Sequence, residues 1–140
     1  MEPTTSNKSP ITKTVFITGA GKRLGRAFAL GFARAGWDVI VHYHSSEEGA
    51  FKTVEEIKSL GRNAIAVIAN IENKKELEEA FKKGVEAVGM PDCVVSNAGV
   101  LPMRTEFQNI SEDLWENTFD VNVKSHLFLA QIYDKFLKSF

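Results

Sequence analysis

Short apolar runs alternate along this chain with longer stretches in which apolar residues recur every three or four positions. Thr14-Val15-Phe16-Ile17-Thr18 is β-branched and aromatic, the composition of a buried first strand. Leu24, Phe28, Gly31, Phe32 and Ala35 then keep helical spacing, and Gly36 marks the expected helix end. Val39-Ile40-Val41 opens a second strand that runs out at His42-Tyr43-His44. Ser45 and Glu48 have the spacing of a capping box, ahead of a helix with Ala50, Val54 and Ile57 on one face and Gly61 at its close. Ala64–Ile68 reads as the third strand. Asn73 is placed to cap the next helix, whose apolar stripe is Leu77, Ala80, Phe81 and Val88. After Pro91, Cys93-Val94-Val95 forms the fourth strand and ends in Ser96-Asn97-Ala98-Gly99. A loop over Val100–Ile110 leads to Ser111, from which one long helix is expected almost to Phe140.

Continuous apolar strands alternating with amphipathic helices predict an α/β fold, a doubly wound parallel sheet covered on both faces. Right-handed crossovers favour a Rossmann-like half in strand order 3-2-1-4, stopping after the fourth βα unit. No repeat, low-complexity tract or second domain interrupts the pattern. The expected organisation is a loose polar leader over residues 1–12 and one domain over residues 13–140.

Composition changes little. With 44% apolar and 25% charged residues among 140, the chain is an ordinary globular protein with length enough for a real core. A formal charge of −1 gives no reason to expect nucleic acid or an anionic membrane as partner. The single cysteine, Cys93, excludes an internal disulfide and any multi-cysteine metal site, and its apolar neighbours place it in a buried strand. No apolar run approaches the ~18 residues of a membrane helix. The leader lacks a signal peptide's apolar core and has no arginine, so a cytoplasmic protein is expected.

Candidate chemistry lies between the first strand and the first helix, at Thr18-Gly19-Ala20-Gly21-Lys22-Arg23-Leu24-Gly25. Small residues let the backbone approach an anion, and the amides of the first helical turn point at it. This context makes the turn a dinucleotide-binding candidate. An NAD site places a carboxylate at the end of the second strand, about 20 residues on. Here that position reads Tyr43-His44-Ser45-Ser46. Asp38 lies at the strand's other end, roughly 16 Å away, where a capping or surface role is expected. A carboxylate about 4 Å from a 2′-phosphate would cost on the order of 4 kcal/mol at an effective dielectric of 20. Its absence, with Lys22 and Arg23 nearby, favours NADP. The bland alternatives are that Lys22 and Arg23 are merely solvated and that His44 is a surface histidine. Thr18 reads as a structural hydroxyl.

Together these motifs resemble the short-chain dehydrogenase/reductase family. Its usual turn is T-G-x-x-x-G-x-G, followed by N-N-A-G after the fourth strand and an asparagine in the next long helix. This chain has Thr18 through Gly25, then Ser96-Asn97-Ala98-Gly99, then Asp120-Val121-Asn122-Val123. Arg23 replaces the middle glycine, and His42-Tyr43-His44-Ser45-Ser46 follows the second strand. Both look like the pteridine reductase branch, where the turn arginine and the residues after His-Tyr contact the 2′-phosphate of NADPH. Ser45 departs from an arginine common in that branch, leaving fewer positive charges.

The resemblance implies NADP as cofactor, with Gly19, Gly21, Lys22, Arg23 and Leu24 at the turn and His44, Ser45 and Ser46 at the 2′-phosphate. Asn70 stands where the family usually has an adenine-bonding aspartate, and a side-chain amide can accept and donate there. Asn97, Ala98 and Gly99 would lie against the cofactor. Asn122 would match the catalytic asparagine that holds a water in the proton relay, against the alternative of a polar residue bonded within the helix fold. The implied reaction passes hydride to a carbonyl or to a pterin C=N. The long helix often pairs between subunits in this family, so a dimer or tetramer is implied for the complete enzyme.

The family's serine, and its tyrosine followed four residues later by lysine, have no match here. Four residues after Tyr43 is Glu47, and four after Tyr133 is Leu137. The expectation is therefore the N-terminal portion of a reductase, inactive alone, with Trp115, Phe119, Phe128, Phe136 and Phe140 partly uncovered. The alternative is a non-catalytic nucleotide-binding or interaction module. Pro102, Met103 and Arg104 are candidates for the edge of a substrate cleft.

Overall fold

The computed structural model describes residues 11–139, so most of the expected leader, and Phe140, lie outside the described residues. The strands are β1 (Thr14–Ile17), β2 (Asp38–Tyr43), β3 (Ala64–Ile68) and β4 (Cys93–Val95). The helices are α1 (Arg23–Arg34), α2 (Glu47–Ser59), α3 (Lys74–Val88), α4 (Glu112–Phe119) and α5 (Ser125–Leu137). All strand pairs are parallel, in the order β3-β2-β1-β4, as the alternating pattern predicts.

Side chains alternate across a strand, so each central strand feeds two cores. Val15, Ile17, Val39 and Val41 face α1 and α2. Phe16 and Ile40 face the other way, into α3 and α5. There Phe16 packs on Phe81 at 5.0 Å between ring centroids, and Phe81 on Phe136 at 5.1 Å. Burial on both faces explains why β1 and β2 carry unbroken apolar runs.

Several local expectations change. Helix α1 buries Gly25, Ala29, Leu30 and Ala33, while Leu24 and Phe28 from the expected stripe are exposed. The cause is Gly25. A Cβ there would sit 2.1 Å from the Gly19 carbonyl oxygen, so the helix turns its small-residue face to the sheet. The expected capping box does not form, because α2 begins one residue later, at the N-cap Ser46. Glu48 then falls one place short of the capping position and pairs with Lys52 at 2.6 Å. Asn73 and Ser111 do cap α3 and α4 with their side chains.

Asp38 is buried rather than a surface or capping residue. Its carboxylate accepts from Arg62 Nε at 3.0 Å, Arg62 Nη2 at 2.7 Å and the Asn63 backbone N–H at 2.9 Å. Cys93 is half-buried, because β4 is an edge strand of this sheet. The long helix is not uniform: Asp120–Lys124 is a π-helical turn between α4 and α5. Trp115 and Phe119 are exposed and stack on each other at 4.5 Å, while Phe128 and Phe136 are half-buried against the second core.

Candidate functional site

Successive connections run from β1 outward to β3 and then return across to β4, so chain direction switches between β1 and β4. Open α/β sheets hold ligands at such a switch, beyond the strands' carboxyl ends. A cleft of about 530 Å³ opens there. The turn supplies Gly19, Gly21, Lys22, Arg23 and Leu24 to its wall, and the end of β2 supplies His44, Ser45 and Ser46. Asn70 follows β3, and Asn97, Ala98 and Gly99 follow β4. The structure therefore gathers every expected cofactor-site residue into one cleft.

The turn is tied to β4 by a compact set of bonds. Thr18 Oγ1 accepts from the backbone N–H groups of Asn97 and Ala98, each at 2.9 Å. Asn97 Nδ2 donates to Thr18 O at 2.9 Å and Gly19 O at 3.3 Å. Thr18 thus has the structural role its sequence position suggests. Gly19 lies at φ +65°, and a Cβ there would press on Ala98 at 3.1 Å. Glycine answers both demands.

Helix α1 offers an anion its opening turn. Its N-cap, Lys22, supplies no side-chain acceptor, and no acidic residue stands in the first turn. The amides of Arg23, Leu24 and Gly25 precede the first bond of the helix, Arg26 N–H to Lys22 O at 3.2 Å. Arg23 adopts φ +49°, a left-handed conformation that costs a non-glycine residue about 1 kcal/mol. Among the described residues, neither Lys22 nor Arg23 forms a salt bridge. Among the described residues, Glu72 is the one carboxylate lining the cleft.

At the far wall, Asn70 Oδ1 accepts from Glu72 N–H at 3.1 Å, and Asn70 N–H donates to Glu76 Oε2 at 2.9 Å. The Asn70 amide group NH₂ is left as a donor on that side. Asn122 sits in the π turn and does not line the cleft. Its Oδ1 accepts from Val100 N–H and its Nδ2 donates to Val100 O, both at 2.8 Å. The side-chain amide is spent on clipping the loop after β4 to the helix. Gly99 leaves room for that clip, since a Cβ there would lie 3.0 Å from Asn122 Oδ1. Pro102 and Met103 line a separate apolar hollow of about 320 Å³ with Trp115 and Phe119.

Both tyrosine hydroxyls have structural partners. Tyr43 donates to Glu47 Oε1 at 3.3 Å and Tyr133 to Pro91 O at 3.0 Å. Burial, and then the Glu47 carboxylate, push the Tyr43 hydroxyl above its ordinary pKa.

Two residues of the site escaped the sequence reading. Gly49, in the first turn of α2, would carry a Cβ 2.1 Å from Gly21 O, so it brings α2 against the turn backbone to backbone. Its only cue was a glycine inside a helix, where alanine is favoured by about 1 kcal/mol. His42 reads in sequence as the fraying end of a strand, yet it is 1% exposed and lies in the cleft wall. The cue was a histidine directly after Val39-Ile40-Val41. Burial, the largest influence, lowers its pKa to about 4, with the Ala69 carbonyl opposing and His44 adding a small push. A depressed histidine stabilises the fold above its unfolded pKa and loses that contribution as pH falls. The expected result is a loss on the order of 3 kcal/mol between pH 6.5 and about 4, measured by denaturant unfolding against pH.

The comparisons with known proteins agree with this geometry. The family model for short chain dehydrogenase matches residues 13–139. The chain is 40% identical over 119 residues to an L-rhamnose 1-dehydrogenase (NAD(P)(+)) of Sphingomonas sp. (strain SKA58), covering 85% of this chain and 46% of that protein. It is 38% identical over 119 residues to the short chain dehydrogenase mdpC of Emericella nidulans, covering 85% of this chain and 44% of that protein. A crystal structure of a short chain dehydrogenase from Burkholderia cenocepacia J2315 in complex with NADP superposes with a TM-score of 0.83 at 31% identity, over 88% of this chain and 50% of the other. The chain spans about half the length of the curated relatives it matches. With the glycine turn, the Asn97-Ala98-Gly99 wall and a profile match over nearly its whole length, the chain belongs to the short-chain dehydrogenase family.

Proposed function

We propose that this chain forms the NADP-binding part of a reductase that transfers hydride to a carbonyl or pterin C=N substrate. The observation that carries the reading is a cleft with two unpaired cations at its glycine turn and no carboxylate at the end of β2. The residues fit the cofactor: Gly19, Gly21 and Gly25 let the turn pack closely on Ala98, Ser46 and its own backbone, and the bare N-terminus of α1 favours the charge of a diphosphate. Lys22, Arg23, His44, Ser45 and Ser46 hold the 2′-phosphate. Asn70 meets the adenine edge, and Asn97, Ala98 and Gly99 lie against the cofactor. Leu24 covers the turn. When bound, NADPH supplies a hydride from its nicotinamide ring. By its match to the family's helix asparagine, Asn122 is assigned to holding a water of the proton relay, while its amide also clips the loop after β4 at Val100.

Arg23 combined with the His-Tyr-His run supports the pteridine reductase-like branch within the family. A cytoplasmic, homo-oligomeric enzyme acting on a small molecule is part of the same proposal. The NADP-bound structural neighbour and the NAD(P)(+) relative support the cofactor.

Arg23 gives the test. Arg23→Ala is expected to weaken NADPH about 10- to 100-fold and leave NADH within about twofold, the worth of one or two charge-assisted hydrogen bonds. Arg23→Gly should show the same loss of NADPH while stabilising the fold by about 1 kcal/mol, because it relieves φ +49°. Equal loss of both dinucleotides in a fluorescence titration overturns the assignment. With both tyrosine hydroxyls engaged, binding without turnover is expected for this chain alone.

A further inference from the structure

His42 is a buried titratable group in the wall of the cleft with no part in the chemistry described above. Two consecutive amides of the glycine turn end on this one residue. Gly19 N–H donates to the ring at Nδ1, 3.3 Å away, and Ala20 N–H donates to the His42 carbonyl at 2.9 Å. On the far side, Nε2 lies 3.1 Å from the Ala69 carbonyl, just beyond β3. Both bonds form only in the neutral ring with its hydrogen on Nε2, because Nδ1 needs its lone pair for Gly19. Ring and carbonyl together bridge the turn after β1 to the end of β3.

We propose that His42 is a positioning residue of the dinucleotide site, whose neutral ring fixes the Gly19 amide and with it the shape of the phosphate turn. Its consequence for binding rests on the NADP reading above, while its hydrogen-bond geometry does not. Gly19 is half-buried in the cleft wall at φ +65°, and the partner the structure gives its N–H is the His42 ring. Phe16 of β1 packs 6.2 Å from the ring and carries no charge. His44, just beyond the end of β2, is the titratable group that acts on it electrostatically, and Lys22, Arg23 and Glu72 line the same cleft. Burial keeps the ring neutral above about pH 4, so the turn is locked across the ordinary range. Protonation would place N–H against N–H and release it.

Two substitutions divide the ring's functions. His42→Asn keeps an acceptor one bond from Cγ, where Nδ1 was, and loses the reach to Ala69. His42→Gln keeps a donor near the Nε2 position and loses the acceptor for Gly19. Binding of NADP⁺ is measured by calorimetry on the whole 140-residue chain, with stability followed by thermal unfolding. The expected result is affinity about tenfold weaker in His42→Gln than in His42→Asn, regardless of which variant is less stable. Equal affinities, or a weaker affinity in His42→Asn, overturn the proposal.

Nitrogen-15 NMR of the unsubstituted chain supplies a second arm that needs neither a variant nor a ligand. It should show the Nε2–H tautomer and a Gly19 amide resonance that titrates with the ring near pH 4. An Nδ1–H tautomer overturns the proposal even if both variants fail to fold. A chain that binds neither NADP⁺ nor NAD⁺ overturns the dinucleotide reading instead, and the tautomer then decides the role of His42 in shaping the turn.

Discussion

Gly25→Ala is expected to reduce NADPH affinity by more than about 100-fold and to cost the fold ~3 kcal/mol or more. Its Cβ would lie 2.1 Å from Gly19 O, 2.8 Å from Gly19 C and 2.6 Å from Asn97 Nδ2. Two of these atoms are backbone of the turn itself, so no flexible side chain can swing aside. The turn cannot retreat either. Thr18 is fixed by Asn97 and Ala98, and Gly19 N–H is held by His42. Either α1 moves off the sheet or the phosphate turn deforms. Gly31→Ala is the matching control in the same helix, where an added Cβ meets nothing within 4 Å. That change should stabilise the chain by up to about 1 kcal/mol and leave NADPH binding as it was. Urea unfolding and a fluorescence titration read both quantities, and a Gly25→Ala chain that binds normally would refute this account of the turn.

Asp38→Ala is expected to remove about 3–5 kcal/mol of stability without touching cofactor affinity. The carboxylate is 4% exposed and accepts from Arg62, from the Asn63 backbone and, on Oδ2, from Asn63 Nδ2 at 3.0 Å. Removing it strands those donors beside the sheet. Arg62 keeps a side-chain exposure of 25%, so its guanidinium can partly recover water, which places the loss toward the lower value. Burial by itself would raise the Asp38 pKa, but the hydrogen bonds from Asn63 and Arg62 and the Arg62 charge outweigh it and hold the carboxyl below its ordinary value. Its contribution is therefore present at neutral pH and is lost as pH falls through that lowered value. Asp38→Asn should be intermediate. A change in the NADPH-to-NADH preference in either variant would show Asp38 acting at the cofactor, against its place at the opposite end of β2.

Much of the architecture was legible because it depends on period and punctuation. The strands read correctly from unbroken apolar runs such as Val39-Ile40-Val41, since a sheet covered on both faces has no solvent side to alternate with. The stripes of α2 and α3 read largely correctly, since Ala50, Val54 and Ile57 of α2 and Leu77, Ala80 and Phe81 of α3 are buried, while Val88 is half-buried and Val85 is buried in addition. The stripe of α1 was misread. Close backbone contact at Gly25 wins over the larger Leu24 and Phe28, and the stripe took in Gly31, which is exposed, in place of Gly25. The π turn at Asp120–Lys124 had a weak cue in Val121-Asn122-Val123, residues of modest helix propensity, but its cause is distant: the bond between Asn122 and Val100.

The glycine turn was visible as a phosphate candidate from sequence alone, because its chemistry is local: small residues after a strand, cations within the turn, a helix next. So was the sheet order, since handed crossovers leave few alternatives. Only the tertiary structure decided what holds that turn in shape. Gly49 meets it across 28 residues from Gly21, and His42 takes its Gly19 amide across 23. The first joins a helix to the turn and the second joins the ends of neighbouring parallel strands, and elements that lie side by side in space carry no mark of their partners in sequence.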